Sequence, residues 1–206
     1  MARRGERGQP GQRTDDGPGG KGEKKLRAAI RLDFSPEVPL ISRTSRYVCD
    51  FYRSFLADDD ASSRVMLAAH ELLENSAKYS ADGEGHLHIE LAEYEDGRDV
   101  VRIQASNRAG PDELAELRKF FEESRLCEDA LALYDRMIAR TAERTDRSGL
   151  GLARIRAEGE MDLSFTVQGD QVTITAEAPV QVRAPRTGQA RALAAERRPQ
   201  RARGPR

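Results

Sequence analysis

The 206-residue sequence has no window approaching the run of about 18 apolar residues that a membrane span needs, and residues 1–20, rich in arginine and glycine, hold no apolar stretch. Neither a membrane crossing nor export by a standard signal is expected. There are two cysteines, Cys49 and Cys127, far apart and without a cysteine or histidine at metal-ligand spacing. A structural disulfide and a zinc site are therefore not expected. With 38% apolar and 33% charged residues the chain has material for one core of ordinary domain size.

The formal net charge of −1 conceals a segregation. Residues 1–25 carry 7 Lys+Arg against 4 Asp+Glu, and residues 183–206 carry 8 against 1; taking both from the totals of 34 and 35 leaves 19 basic and 30 acidic residues in 26–182, a balance of −11. Residues 1–25 are nearly devoid of apolar side chains and residues 183–206 have only alanine and one leucine, so both tails are expected to be disordered, because burial cannot offset their ordering entropy. The stretch QARALAAERR (189–198) has enough alanine to form a helix against a partner. Arginine-rich tails contact nucleic-acid phosphates non-specifically, but no aromatic residue is interleaved to stack on bases. The other use of such a tail is a screened contact with the acidic body.

The periodicity of the body predicts a strand over 26–34, a helix over 36–56, a loop at the aspartates 58–60 and a helix over 62–79. A hairpin over 86–94 and 99–105 follows, turning at Glu95-Asp96-Gly97-Arg98, then helices over 111–124 and 128–144. After a break at 145–149 come a short helix over 150–158 and a second hairpin, 161–167 and 171–178, turning at Gly169-Asp170. Paired strands separated by helices imply an α/β, two-layer sandwich: a mixed, mostly antiparallel sheet with helices on one face.

Two segments carry the chemistry. In HELLENSAKYS (70–80) a helical wheel puts Val65, Ala69, Leu72 and Ser76 on one side and an acid, an amide and an ammonium, Glu71, Asn75 and Lys78, on the other. In SGLGLARI (148–155) Gly149 and Gly151 stand at the mouth of a helix, where backbone N–H groups close on an anion. The spacing of His70 and Glu74 does not form a zinc-hydrolase motif, and His86 and His88 share one strand face without a third ligand.

In this order, and between these strands, the two segments resemble the asparagine box and the last glycine box of the histidine-kinase-like ATPase superfamily. The layout before them is similar to that of the stand-alone anti-sigma-factor serine kinases. The resemblance covers about 26–180. It implies ATP and Mg²⁺ as cofactors: Glu71 as the activating carboxylate, Asn75 as the Mg²⁺ ligand, Lys78 near a phosphate, and Gly149 and Gly151 against the triphosphate. The sequence departs from the family at the aspartate-glycine box, where Ser106-Asn107-Arg108-Ala109-Gly110-Pro111 has no aspartate; Asn107 stands where adenine would be read.

The resemblance implies a cytoplasmic, bacterial-type regulatory protein acting through a protein partner: a sigma factor, an anti-sigma antagonist or a response regulator, or a second copy of the chain. The alternatives are an active ATP-dependent serine kinase acting on a small antagonist protein, and RNA binding through the arginine-rich tails. The helices over 112–124 and 128–144, in place of the superfamily's lid, carry more apolar residues than a lid needs. Either these residues complete the core, or part of them stays exposed as a partner-binding patch rimmed by Glu116, Glu122, Glu123 and Arg136; on the second reading charge at Phe121 or Met137 is expected to weaken association and leave the domain folded.

Overall fold

In the computed structural model the residues described are 24–35, 38–143 and 149–184. Expectations for the tails, 1–23 and 185–206, and for the break at 144–148 lie outside them. The elements are β1 (Lys24–Phe34), α1 (Val38–Arg53), α2 (Asp59–Tyr79), β2 (Gly85–Tyr94), β3 (Asp99–Arg108), α3 (Pro111–Arg125), α4 (Ala130–Glu143), α5 (Leu150–Ala157), β4 (Asp162–Gln168) and β5 (Gln171–Val180).

The strands form one sheet in the order β1-β2-β3-β5-β4, and every pairing among the described residues is antiparallel, the antiparallel form of the expected two-layer sandwich. Alternation along each strand sends one row of side chains to each face. Ile30, Ile89, Ile103, Ala176 and Leu163 stand in register across the sheet on the core side, and Arg31, His88, Gln104, Thr175 and Ser164 stand in register on the other. The sequence thus builds one apolar face for helices and one polar face, the two-layer arrangement. His86 lies on the polar face with its Nδ1 2.7 Å from Asp33 Oδ1. Among the described residues no group of three or more His, Cys, Asp or Glu is placed to hold a metal ion.

Helix α2 crosses the core face with Val65, Ala68, Ala69, Leu72 and Leu73 buried. It starts earlier than the periodicity suggests. Asp58, expected in a loop, is its N-cap, with a carboxylate oxygen accepting from Asp60 N–H at 2.9 Å, while Asp59 and Asp60 occupy the first turn, where acids complement the helix dipole. Helix α1 is fixed to the sheet by the buried Tyr52, whose hydroxyl donates to the carbonyl of Ile89 at 3.0 Å; burial pushes its phenol pKa up. The described body takes in Lys24 and Lys25 through β1, and Arg183, whose N–H donates to the carbonyl of Phe55 at 2.8 Å.

Helices α3 and α4 complete the core rather than only covering it. Phe120, Phe121, Leu133 and Met137 are buried, and Phe121 stacks on Phe165 of β4 at 4.5 Å between ring centroids. Of the two readings of this segment, core completion holds for Phe121 and Met137, at 7% and 6% exposure, and the expectation that charge there leaves the domain folded is corrected. The large apolar residues left in solvent on or next to these elements, among the described residues, are Leu126, Leu131 and Ile138. Arg156 of α5 ties α3 down through the carbonyl and hydroxyl of Ser124, at 3.0 and 2.6 Å. Arg140 of α4 makes a two-pronged contact with the carboxylate of Glu123, at 3.1 and 2.6 Å.

Candidate functional site

A cavity of about 230 Å³ opens where the C-terminal end of α2, the start of α3 and the N-terminal end of α5 meet the sheet. Asn75, Lys78, Asn107 and Gly149 all line it. The sequence places these four on a helix, a strand and a turn, and the fold gathers them because α2 packs over β3 while α5 packs beside α2 and against β4. Its floor is apolar, formed by Leu117, Phe120, Leu152, Val172 and Ile174.

Gly149 is the N-cap of α5 with φ +77°, and a Cβ there would stand 2.8 Å from Met137 Cε and 3.0 Å from Phe120. Both the left-handed backbone and the close approach of α3 and α4 require glycine. Lys78 rests its ammonium 4.7 Å from the centroid of the Tyr79 ring. Asn107 donates to the carbonyls of Tyr79 and Arg108, at 3.4 and 3.1 Å, so its amide nitrogen is engaged by backbone. Asn75 Nδ2 is buried with no hydrogen-bond partner, as is the hydroxyl of its neighbour Ser76.

Glu71 and Gly151 do not line the cavity; they pack against each other beside it. A Cβ on Gly151 would fall 2.5 Å from Glu71 Oε2, so this glycine makes room for a carboxylate. Arg154, one turn further along α5, donates to Glu71 Oε1 at 3.0 Å and to Glu158 Oε2 at 2.7 Å. Burial pushes the Glu71 carboxyl above its ordinary pKa, and the hydrogen bond and charge of Arg154 pull it back only in part. The carboxylate is turned toward α5 by this partner, not toward the cavity.

The sequence reading missed Arg154 and the acids of α3. Asp112, Glu113 and Glu116 rim the cavity, so its lining holds three carboxylates against the single ammonium of Lys78. Asp112 and Glu113 lie in the first turn of α3, where acids are ordinary dipole partners, and Glu113 folds back until its Oε2 would be 2.5 Å from a Cβ on Gly110. Only the tertiary fold turns that helix start toward Asn75. These three acids are solvent-exposed, so a triphosphate brought here would meet a negative rim that is screened by water and salt.

No protein-family model matches the chain, and no curated protein matches it. Among solved structures, a chain from "The crystal structure of SiaB-SiaC complex from Pseudomonas aeruginosa" is 17% identical, covering 73% of this chain and 89% of that one at a TM-score of 0.49. That likeness assigns no function. Among the described residues no helix is long and apolar enough to cross a membrane.

Proposed function

We propose that the chain is a cytoplasmic regulatory protein of histidine-kinase-like ATPase fold. In this reading it acts by contact with a protein partner, a sigma factor, an antagonist protein or a response regulator, and its nucleotide site is weakened or lost. The observation that carries the reading is the state of Glu71. Phosphoryl transfer is mostly positioning and charge stabilisation, and its base must reach the attacking oxygen. Here that carboxylate is ion-paired with Arg154 at 3.0 Å and stands off the cavity. The acid rim and the missing adenine-reading aspartate point the same way.

The runner-up is an active ATP-dependent serine kinase. What favours it is the convergence of Asn75, Lys78 and Gly149 on one cavity. Calorimetric titration of the purified chain with magnesium-ATP separates the two. A lost charge-assisted hydrogen bond lowers affinity by about one to two powers of ten, so binding is expected to be weak and no better for ATP than for GTP. Tight, adenine-selective binding that Asn75→Ala abolishes, with phosphate passed to a protein, would establish the kinase instead.

A further inference from the structure

The two edges of the sheet differ in how they are protected. An edge strand offers a row of unpaired N–H and C=O groups to any other strand, and proteins guard it with charges, proline or a bulge. Strand β1 is guarded: it carries Lys24, Lys25, Arg27 and Arg31, and its register shifts between Leu26 and Ala28. The opposite edge, β4, has none of these devices. Its sequence DLSFTVQ holds one charge, Asp162 at the first position, no proline, and an unbroken register against β5. Among the described residues no strand pairs with its outer side. Gly169-Asp170 is a two-residue turn, so Gln168 and Gln171 exchange hydrogen bonds, and bonding to β5 falls on every second residue from there, at Thr166, Ser164 and Asp162. Leu163, Phe165 and Val167 therefore turn their N–H and C=O groups outward.

What fits this edge is a copy of itself. About Phe165 the sequence is chemically palindromic: Ser164 matches Thr166, Leu163 matches Val167, and Asp162 matches Gln168. A two-fold axis through Phe165 sets two copies of β4 antiparallel with each of these residues opposite its match and Phe165 opposite Phe165 of the second copy. In that register the outward N–H groups of Leu163, Phe165 and Val167 all meet outward carbonyls of the other chain. Other registers that match outward groups leave Leu163 or Val167 of each copy with no counterpart in β4. The apolar pairs fall on the core side of both sheets, where Phe121 already stacks on Phe165, and the hydroxyl pairs fall on the polar side. No like charges are opposed, because Asp162 stands at the far end from Asp162 of the second copy. We infer that two copies of this chain pair β4 to β4 about Phe165, joining two five-stranded sheets into one continuous sheet. This does not rest on the reading of the cavity.

Sedimentation of the full chain tests this, and a dimer is expected at about 100 μM protein. Ser164→Lys with Thr166→Lys places lysine opposite lysine on both sides of the axis and should weaken dimerisation about tenfold or more. Both side chains are exposed, so the fold is expected to survive, as read by circular dichroism. Ser164→Lys with Thr166→Glu puts opposite charges at the same positions and should restore the native association. A nitroxide on Gln168→Cys, with Cys127→Ser removing the half-buried thiol, should find its copy about 20 Å away, the length of six strand residues. That distance is read in a chain with native Ser164 and Thr166, so it decides the matter even if the lysine pair fails to fold. A monomer at this concentration overturns the inference. So does a dimer that the lysine pair leaves unchanged, or one whose labels stand more than about 40 Å apart, which would move the contact to β1 or to the helical layer.

Discussion

Glu71 on α2 and Arg154 on α5, 83 residues apart in sequence, meet at 3.0 Å, and the same guanidinium reaches Glu158 at 2.7 Å. This bridge, with Gly151 beneath it, decides what the asparagine-box carboxylate can do. Removing one partner of a buried pair costs about 3–5 kcal/mol, but Arg154 is 40% exposed, so Arg154→Ala is expected to cost about 1–2 kcal/mol in urea denaturation. A double-mutant cycle with Glu71→Gln should return most of that as coupling, because the neutral amide no longer leaves a buried charge.

Gly151→Ala is expected to change sign with its background. Alanine gains about 1 kcal/mol over glycine inside a helix, but here its Cβ would stand 2.5 Å from Glu71 Oε2. In the native protein the substitution should destabilise. Combined with Glu71→Ala it should stabilise by about 1 kcal/mol, and equal effects in both backgrounds would show that the two residues do not touch.

The pKa of Glu71 gives stability a pH dependence of known sign. Its folded-state value is raised, mainly by burial, so the folded chain holds the proton more tightly than the unfolded chain. The contribution is fully present below the unfolded value and is lost as pH rises through the folded one. Glu71→Gln should remove this falling segment just above the ordinary glutamate range, read from denaturation midpoints across pH. A variant with the native slope would assign it elsewhere.

The elements α3 and α4 divide into core and surface in a way that substitutions can read. Phe121→Asp and Met137→Asp place a charge among buried residues and should unfold the chain or cost about 3 kcal/mol or more. Leu126 is 88% exposed and lines, with Leu133, Arg136 and Arg140, a groove of about 460 Å³, whereas Leu131 and Ile138, 59% and 43% exposed, lie on the opposite side of α4. Serine at these three positions should change stability by no more than about 0.5 kcal/mol each. A partner docking in the groove is weakened by the Leu126 substitution and not by those at Leu131 and Ile138, measured by light scattering or calorimetry.

At the start of α2, Asp58→Ala should cost about 1 kcal/mol by removing the acceptor of the Asp60 N–H. Asn should restore most of it, since an amide oxygen accepts the same bond.

The sequence by itself determined the elements and their faces. Alternation over β1 to β5 and the three-to-four spacing in α2 are local properties, written in neighbouring residues, and they dictate a sheet with one apolar side covered by helices. Glycines at Gly97 and Gly169 mark the two hairpin turns, both with positive φ, for the same local reason. The convergence of Asn75, Lys78, Asn107 and Gly149 was legible only as a resemblance between separate segments. What the tertiary structure alone decided are relations between residues distant along the chain. The purely antiparallel order β1-β2-β3-β5-β4 depends on which edges meet, which periodicity does not encode. The cap by Asp58 depends on where α1 releases the chain, and the burial of Phe121 depends on Phe165 lying opposite. The partner of Glu71 and the negative rim of the cavity arise because packing sets α5 beside α2 and brings the start of α3 to the cavity at the end of α2, so charges that look like solvated helix faces in sequence acquire each other, or the cavity, as surroundings.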